Sequence, residues 1–312
     1  MYFAGVDLGG MGIKTGIIDE SLTLCCKTSL PTNPHRGFDK IIADMAESIT
    51  MLAQGNGIAI NQIAGIGIGI PGFAHNGLAT AVNLHWFDVP LEAQLKARVN
   101  APVYVDNDAT AAAVYEYRLG ALAGSRVGVL LTLGTGVGSG IIIDGKPFSG
   151  AHGMGGELGH IEIVPDGIPC VCNNRGCLEA YSSASALIRR ARMIIMERPE
   201  SMLYHQTNGD PNNATAKLVF DCAKQGDFLS CAIIDEYVKY LAMGIGSIEN
   251  ILDPDIIAIG GGVAAAGDFL LDKIKIACEG KGVFYGKKYS DIRLAAGGND
   301  AGIAGAAMLS LH

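Results

Sequence analysis

LGGMGIKTGIID, from Leu8 to Asp19, and LGTGVGSGIIID, from Leu133 to Asp144, decide how this chain folds. Leucine, the first glycine and the closing Ile-Ile-Asp coincide in the two copies. In the first copy an apolar run from Tyr2 to Val6 leads into Asp7, glycines follow, and Ile13 to Asp19 is apolar again. That is the pattern of strand, glycine turn, strand. Gly9 and Gly10 let such a turn aim successive N–H groups at one spot, a nest that suits a phosphate. Asp7 at the strand end suits a hydrated Mg²⁺ held through water, because magnesium dehydrates reluctantly. Alone, the first copy fits an ordinary hairpin with an Asp in its turn equally well. Two copies in two halves of the chain read as a duplicated domain with a phosphate gripped between them.

Between the copies, Phe38, Ile41, Ile42, Met45, Ile49 and Leu52 recur at helical spacing within 37–53. Ile63 to Ile70 reads as a buried strand that stops at Pro71-Gly72, a candidate site wall, since ligands of open α/β sheets sit beyond the carboxyl ends of strands. Asn83 can both donate to and accept from a hydroxyl, and it also fits as a turn residue. Val103 to Asp108 ends another strand, and 109–119 is an alanine-rich helix with Asp108 at its expected N-cap. The helix dipole holds a carboxylate there ionised, which suits a base that takes the proton of an attacking alcohol. Cap and base both fit Asp108 at this point.

After the second copy comes GAHGMGGELGHIEIVPDGIPCVCNNRGCLEAY, Gly150 to Tyr181. His160, Cys170, Cys172 and Cys177 in it form H-x9-C-x-C-x4-C. One imidazole and three thiols are a complete tetrahedral set for structural zinc. The flanking Glu157 and Glu179 suggest that this knot holds something polar in place. Beyond it, 182–198 reads as a helix whose Arg189, Arg190 and Arg192 form a solvated face without a partner. The stretch 201–214 reads as a connection, and 216–252 as two amphipathic helices. Asp255 to Ile259 is a short buried strand, and Gly260-Gly261-Gly262 opens a helical stretch that allows close approach of a nucleotide. The end of the chain, 295–311, reads as an alanine- and glycine-rich helix.

Composition limits the function classes. The 312 residues are 49% hydrophobic, 17% charged and include 43 glycines, as in a globular protein of two domains. A net charge of −8 with 6% aromatics leaves no footprint for nucleic acid or an anionic membrane. The apolar window 127–143 carries alternate glycines that a spanning helix of about 20 residues tolerates poorly. Asp7 interrupts the first apolar run, which argues against a secretory signal. Of eight cysteines, Cys25, Cys26, Cys222, Cys231 and Cys278 lie among apolar neighbours, as expected of reduced core thiols in a cytoplasmic protein.

Together these motifs resemble the ROK family of bacterial sugar kinases and sugar-responsive repressors over essentially the whole chain. The residues that carry the resemblance are Asp7-Leu-Gly-Gly, Asn107-Asp108-Ala-Thr-Ala-Ala, Leu133-Gly-Thr-Gly-Val-Gly, Gly156-Glu-Leu-Gly-His160 and Cys170-x-Cys172-x4-Cys177-Leu-Glu179. The resemblance implies an α/β fold of two actin-like (ribonuclease H-like) domains with a nucleotide and sugar cleft between them. It places the first domain at 1–118 plus 298–312 and the second, with the zinc loop, at 119–297. It makes Asp108 the general base, and Gly72, Asn83, Asn107, Glu157, His160 and Glu179 sugar contacts. Gly9, Gly10, Thr135, Gly136, Gly261 and Gly262 then approach ATP, and Asp7 serves Mg²⁺. His160 works twice, with one ring nitrogen on zinc and the other facing a sugar hydroxyl.

Two positions depart from the family pattern. Met11 stands where a Thr is usual, and the missing hydrogen bond to a charged phosphate, worth roughly 1.5–3 kcal/mol, weakens ATP use unless Lys14, Thr15 or water compensates. Asn173 stands where Gly is common, and Asn tolerates a left-handed backbone better than most residues. The implied activity is ATP-dependent phosphorylation of a hexose, with glucose as the expected acceptor and a homodimer as the expected assembly. Allose, N-acetylmannosamine, N-acetylglucosamine and fructose are alternative acceptors. A non-catalytic sugar sensor or a repressor is the alternative of another class. Family repressors carry a DNA-binding segment ahead of this fold, whereas the first strand here begins at Tyr2 in an acidic chain.

Overall fold

The computed structural model describes residues 1–280 and 290–311; positions 281–289 and 312 of the expected domains lie outside them. β1 (Tyr2–Leu8), β2 (Gly12–Asp19) and β3 (Leu24–Pro31) form an antiparallel meander, and β4 (Ile63–Ile70) joins β1 in parallel. β5 (Phe73–His75), β6 (Leu78–Ala81) and β7 (Trp86–Val89) make a small separate sheet. β8 (Val103–Asn107) then adds in parallel to β4, giving the order β3-β2-β1-β4-β8. The second large sheet is built from β9 (Val127–Leu133), β10 (Val137–Ile143), β11 (Lys146–Pro147), β12 (Ile256–Gly260) and β13 (Asp291–Leu294). Its order, β11-β10-β9-β12-β13, repeats the first, with β12 parallel to both β9 and β13. The duplicated glycine motif is therefore the first turn of two sheets of the same order.

Strand alternation explains the core of the first sheet. Ile66, Ile68 and Ile70 of β4 are fully buried and join Ile41, Ile42, Met45 and Ile49 of α1 (Phe38–Gly55) in one apolar cluster. The intervening glycines point the other way. A Cβ on Gly67 would stand 1.7 Å from the carbonyl oxygen of Ala306, and one on Gly5 2.0 Å from that of Ile303. The backbone of the last helix thus rests directly on the sheet, which is why that helix is so poor in large side chains.

The remaining helices are α2 (Leu91–Val99), α3 (Asp108–Leu119), α4 (Leu178–Ser182), α5 (Ala184–Glu197), α6 (Met202–Thr207), α7 (Ala216–Lys224), α8 (Phe228–Leu252), α9 (Asp268–Cys278) and α10 (Ala301–Leu309). α6 occupies part of the stretch expected to be a connection, because Ser201 caps it by accepting from Tyr204 N–H. The arginines of α5 are not a bare solvated face. Arg190 pairs with Glu236 of α8 at 3.0 Å, Arg189 donates to Ala180 O and Arg192 to Pro211 O, so they stitch the helix to its neighbours. Of the five scattered cysteines only Cys222 is buried; Cys25 is exposed, because it faces outward on β3. No described helix is long and apolar enough to cross a membrane.

The chain divides into two compact units, Met1–Arg126 with Gly140–Gly156 and Ala296–His312, and Val127–Ser139 with Glu157–Ala295. The first boundary falls later than the expected 118 because the turn after α3 hangs on that helix, through Leu122 N–H on Glu116 O and Ala121 N–H on the Glu116 carboxylate. The segment 140–156 stays with the first unit because α3 leaves no room at Gly140, where a Cβ would lie 2.5 Å from that of Ala113.

Candidate active site

In the first unit β1 delivers Asp7 beside the glycine turn, and its carboxylate meets Lys14 Nζ at 3.0 Å across the antiparallel pair. The turn closes with Gly9 N–H donating to Gly12 O at 2.8 Å. That amide is spent inside the hairpin, which corrects the expectation that Gly9 and Gly10 aim their N–H groups together. Gly10 faces open space and Met11 is 93% exposed. Thr15 does not compensate for Met11, because its hydroxyl is buried at 2.7 Å from Ser48 Oγ. The buried Thr32 hydroxyl donates to Gly9 O at 2.6 Å and clamps the turn instead.

The helix start around Asp108 differs from expectation by one residue. Asn107, still extended at φ −61° and ψ 148°, is the N-cap of α3, its side-chain oxygen accepting from Ala109 and Thr110 N–H. Pairing of Asn107 with Ile70 at the end of β8 keeps it in strand conformation, so the helix begins at Asp108. The half-buried Asp108 carboxylate accepts from Ala109 N–H at 2.8 Å in the first turn, at the end of the helix that carries the partial positive charge of the dipole. Asn107 Nδ2 also donates to Gly72 O at 3.0 Å, which brings the Pro71-Gly72 turn to the start of α3. Gly72 admits no side chain, since its Cβ would lie 2.0 Å from Thr80 O. Asn83 is exposed in a single 3-10 turn, Val82–Leu84, directly after β6.

In the second unit, all four ligand atoms of His160, Cys170, Cys172 and Cys177 lie within 4.8 Å of one another. Zn–S bonds of about 2.3 Å in a tetrahedron set sulfur–sulfur edges near 3.8 Å. Cys172 Sγ and Cys177 Sγ are 3.6 Å apart, and His160 Nδ1 is 3.6 Å from Cys170 Sγ, so the set fits zinc. Asn173 takes the left-handed conformation at φ 69°, as its residue type allows. Burial and the neighbouring thiols push Cys177 up to about 12, and burial also raises Cys170. At Cys172 the effect of burial is outweighed by Asn174 N–H and the two other sulfurs, so this thiol is lowered. Binding a metal here would release protons from the other two.

The knot reaches the second glycine turn through Glu179. Its carboxylate accepts from Val137 N–H at 2.9 Å and from Cys170 Sγ at 3.7 Å. Gly136 lets the Glu179 carboxylate come this close, because a Cβ would lie 2.3 Å from Glu179 Oε2 and push that side chain away. The 3-10 turn Leu158–His160 presses on β10 at Gly159, 2.1 Å from Val137 O by the same measure, with Glu157 exposed at its start. Thr135 O accepts from Ser185 Oγ at 2.7 Å. Gly261, at φ 80°, lies against the Leu133 backbone, and Gly262 faces open space. The second unit therefore brings Thr135, Gly136, Gly261 and Glu179 around one turn, and the first brings Gly72, Asn107 and Asp108 around one helix start.

Sequence reasoning passed over Glu116. This buried carboxylate of α3 accepts from Ala121, Ala296 and Gly297 N–H at 2.7–3.0 Å. Its signal was slight: the lone acid inside an alanine-rich helix.

The chain is 37% identical to the glucokinase of Halalkalibacterium halodurans, over 99% of this chain and 94% of that one. It is 34% identical to the glucokinase of Streptomyces coelicolor, over 98% and 96%. A ROK family glucokinase from Streptomyces griseus, solved in complex with glucose and AMPPNP, superposes with a TM-score of 0.84 at 32% identity, covering 99% of each chain. The model of the ROK family matches residues 3–312, and the chain belongs to that family.

Proposed function

We propose that this chain transfers the γ-phosphoryl group of ATP to a hydroxyl of glucose, giving glucose 6-phosphate. The observation that carries this reading is the Asp108 carboxylate in the first turn of α3, with its neighbour Asn107 bound to the Gly72 turn. The likeness to glucokinases, one of them holding glucose and AMPPNP, supports the same substrates.

As the hydroxyl oxygen forms its bond to the γ-phosphorus, the bond to the β-bridging oxygen breaks and ADP leaves. The hydroxyl proton passes to Asp108. Gly72, Asn83, Asn107, Glu157, His160 and Glu179 orient the sugar. With Nδ1 of His160 turned to the thiols, Nε2 remains for a sugar hydroxyl. Gly10, Thr135, Gly136, Gly261 and Gly262 approach the nucleotide through backbone, and Gly9 shapes its turn. Asp7 would hold Mg²⁺ through water, and the ion would neutralise charge on the phosphates. His160, Cys170, Cys172 and Cys177 would hold zinc, which supplies a rigid junction that fixes the imidazole tautomer. The same reading makes the protein a cytoplasmic homodimer.

A screen of hexoses with ATP, read by coupled ADP release, tests the assignment. Sugar-dependent release with the highest kcat/KM for glucose is expected. Faster turnover of an N-acetylhexosamine would overturn the acceptor, and no sugar-dependent release would overturn the kinase.

A further inference from the structure

A cavity of about 500 Å³ opens in the first unit beside the edge strand β8, and it takes in none of the residues assigned above to sugar or nucleotide. Its polar wall is made by His75, Asn76, Glu92, Lys96, Tyr104 and Asp106. Glu92 and Lys96 stand one turn apart on α2 in the order that favours an ion pair. Among the described residues, however, neither side chain makes a hydrogen bond or ion pair, and both are left facing the cavity. Tyr104, 40% exposed, offers its ring. Asp106 accepts from Ser149 Oγ at 2.8 Å and from Asn107 N–H at 2.7 Å. It has no cation partner among the described residues, and burial raises its pKa.

The wall thus combines hydrogen-bond donors (Lys96, Asn76) with acceptors (Glu92, Asp106) and an aromatic face, and its charges nearly cancel. Such a lining has no field to attract an anion and matches a molecule with many hydroxyls. We propose that this cavity is a second binding site, for a neutral saccharide or polyol, separate from the site of phosphoryl transfer. An occupant that touches Asp106 bears on Asn107, whose N–H rests on that carboxylate, and through it on the start of α3. The site is placed to modulate the base from behind.

Equilibrium dialysis of labelled D-glucose against the full chain, without ATP, tests the proposal. The double variant Glu92→Ala/Lys96→Ala is expected to lose one glucose per chain and to keep sugar-dependent ADP release. Tyr104→Ala, on another element, is expected to weaken the same class of sites at least tenfold, and Glu157→Ala to spare it. Unchanged glucose binding in the double variant would overturn the proposal. Glucose 6-phosphate displacing this class more strongly than D-sorbitol would overturn its assignment to neutral polyols. The dialysis result stands whether or not the chain transfers phosphate, so it fails separately from the kinase reading.

Discussion

Asp106, Asn107 and Asp108 have similar side chains and three different positions. Asp106 is the last residue before the cap and is half-buried with no cation partner among the described residues, and burial raises its pKa. A carboxyl whose folded pKa lies above its unfolded value favours the fold while protonated, and that contribution is lost as pH rises through the folded pKa. Asp106→Asn is therefore expected to raise the urea midpoint at pH 7, with the gain vanishing below the usual aspartate pKa of 3.8. An equal gain at pH 3 and pH 7 would contradict this account. The sequence D-N-D showed that a carboxylate stands at a helix start, but not which residue caps it. That depends on how far β8 stays paired with β4, a tertiary fact that places Asn107 in strand conformation. Thr15, one of the groups that could have compensated for Met11, proves likewise to be a core hydroxyl, because alternation along β2 turns it inward.

At the scale of elements, α3 does more than carry the proposed base. Glu116 binds three backbone N–H groups, at the helix's own C-terminal turn and at the Ala296-Gly297 segment before α10. These donors are only part-buried and can turn to water, so Glu116→Ala is expected to lose about 1–3 kcal/mol in urea unfolding rather than the full cost of three buried donors. Glu116→Gln, which keeps an acceptor oxygen, is expected to lose less. The His160, Cys170, Cys172 and Cys177 cluster works in a similar way on α4, whose N-cap is Cys177 and whose Glu179 accepts from Val137 N–H. Removing the metal with a chelator is expected to raise the KM for glucose and to increase hydrogen exchange at Val137 N–H. Unchanged exchange after confirmed metal loss would separate the knot from the turn. The ligand set was legible from spacing alone, because four soft ligands in so short a stretch have few other uses. Glu116 was not legible, because its partners are backbone groups brought to it from the far end of the chain.

For the whole molecule, two sheets of the same order repeat the two glycine motifs, and the repeat was readable because strand, turn and closing Ile-Ile-Asp survive in both copies. The order of the strands was not, since periodicity tells which face is buried and not which strand lies beside it. In the proposed reaction Asp108 is the base, and Glu157, His160 and Glu179 hold the sugar. Turnover and glucose binding of Asp108→Asn therefore test the central claim most directly. The account predicts a fall in kcat of about 10²–10⁴-fold with the glucose Kd within a few-fold of the parent. Near-normal kcat in that variant would contradict it.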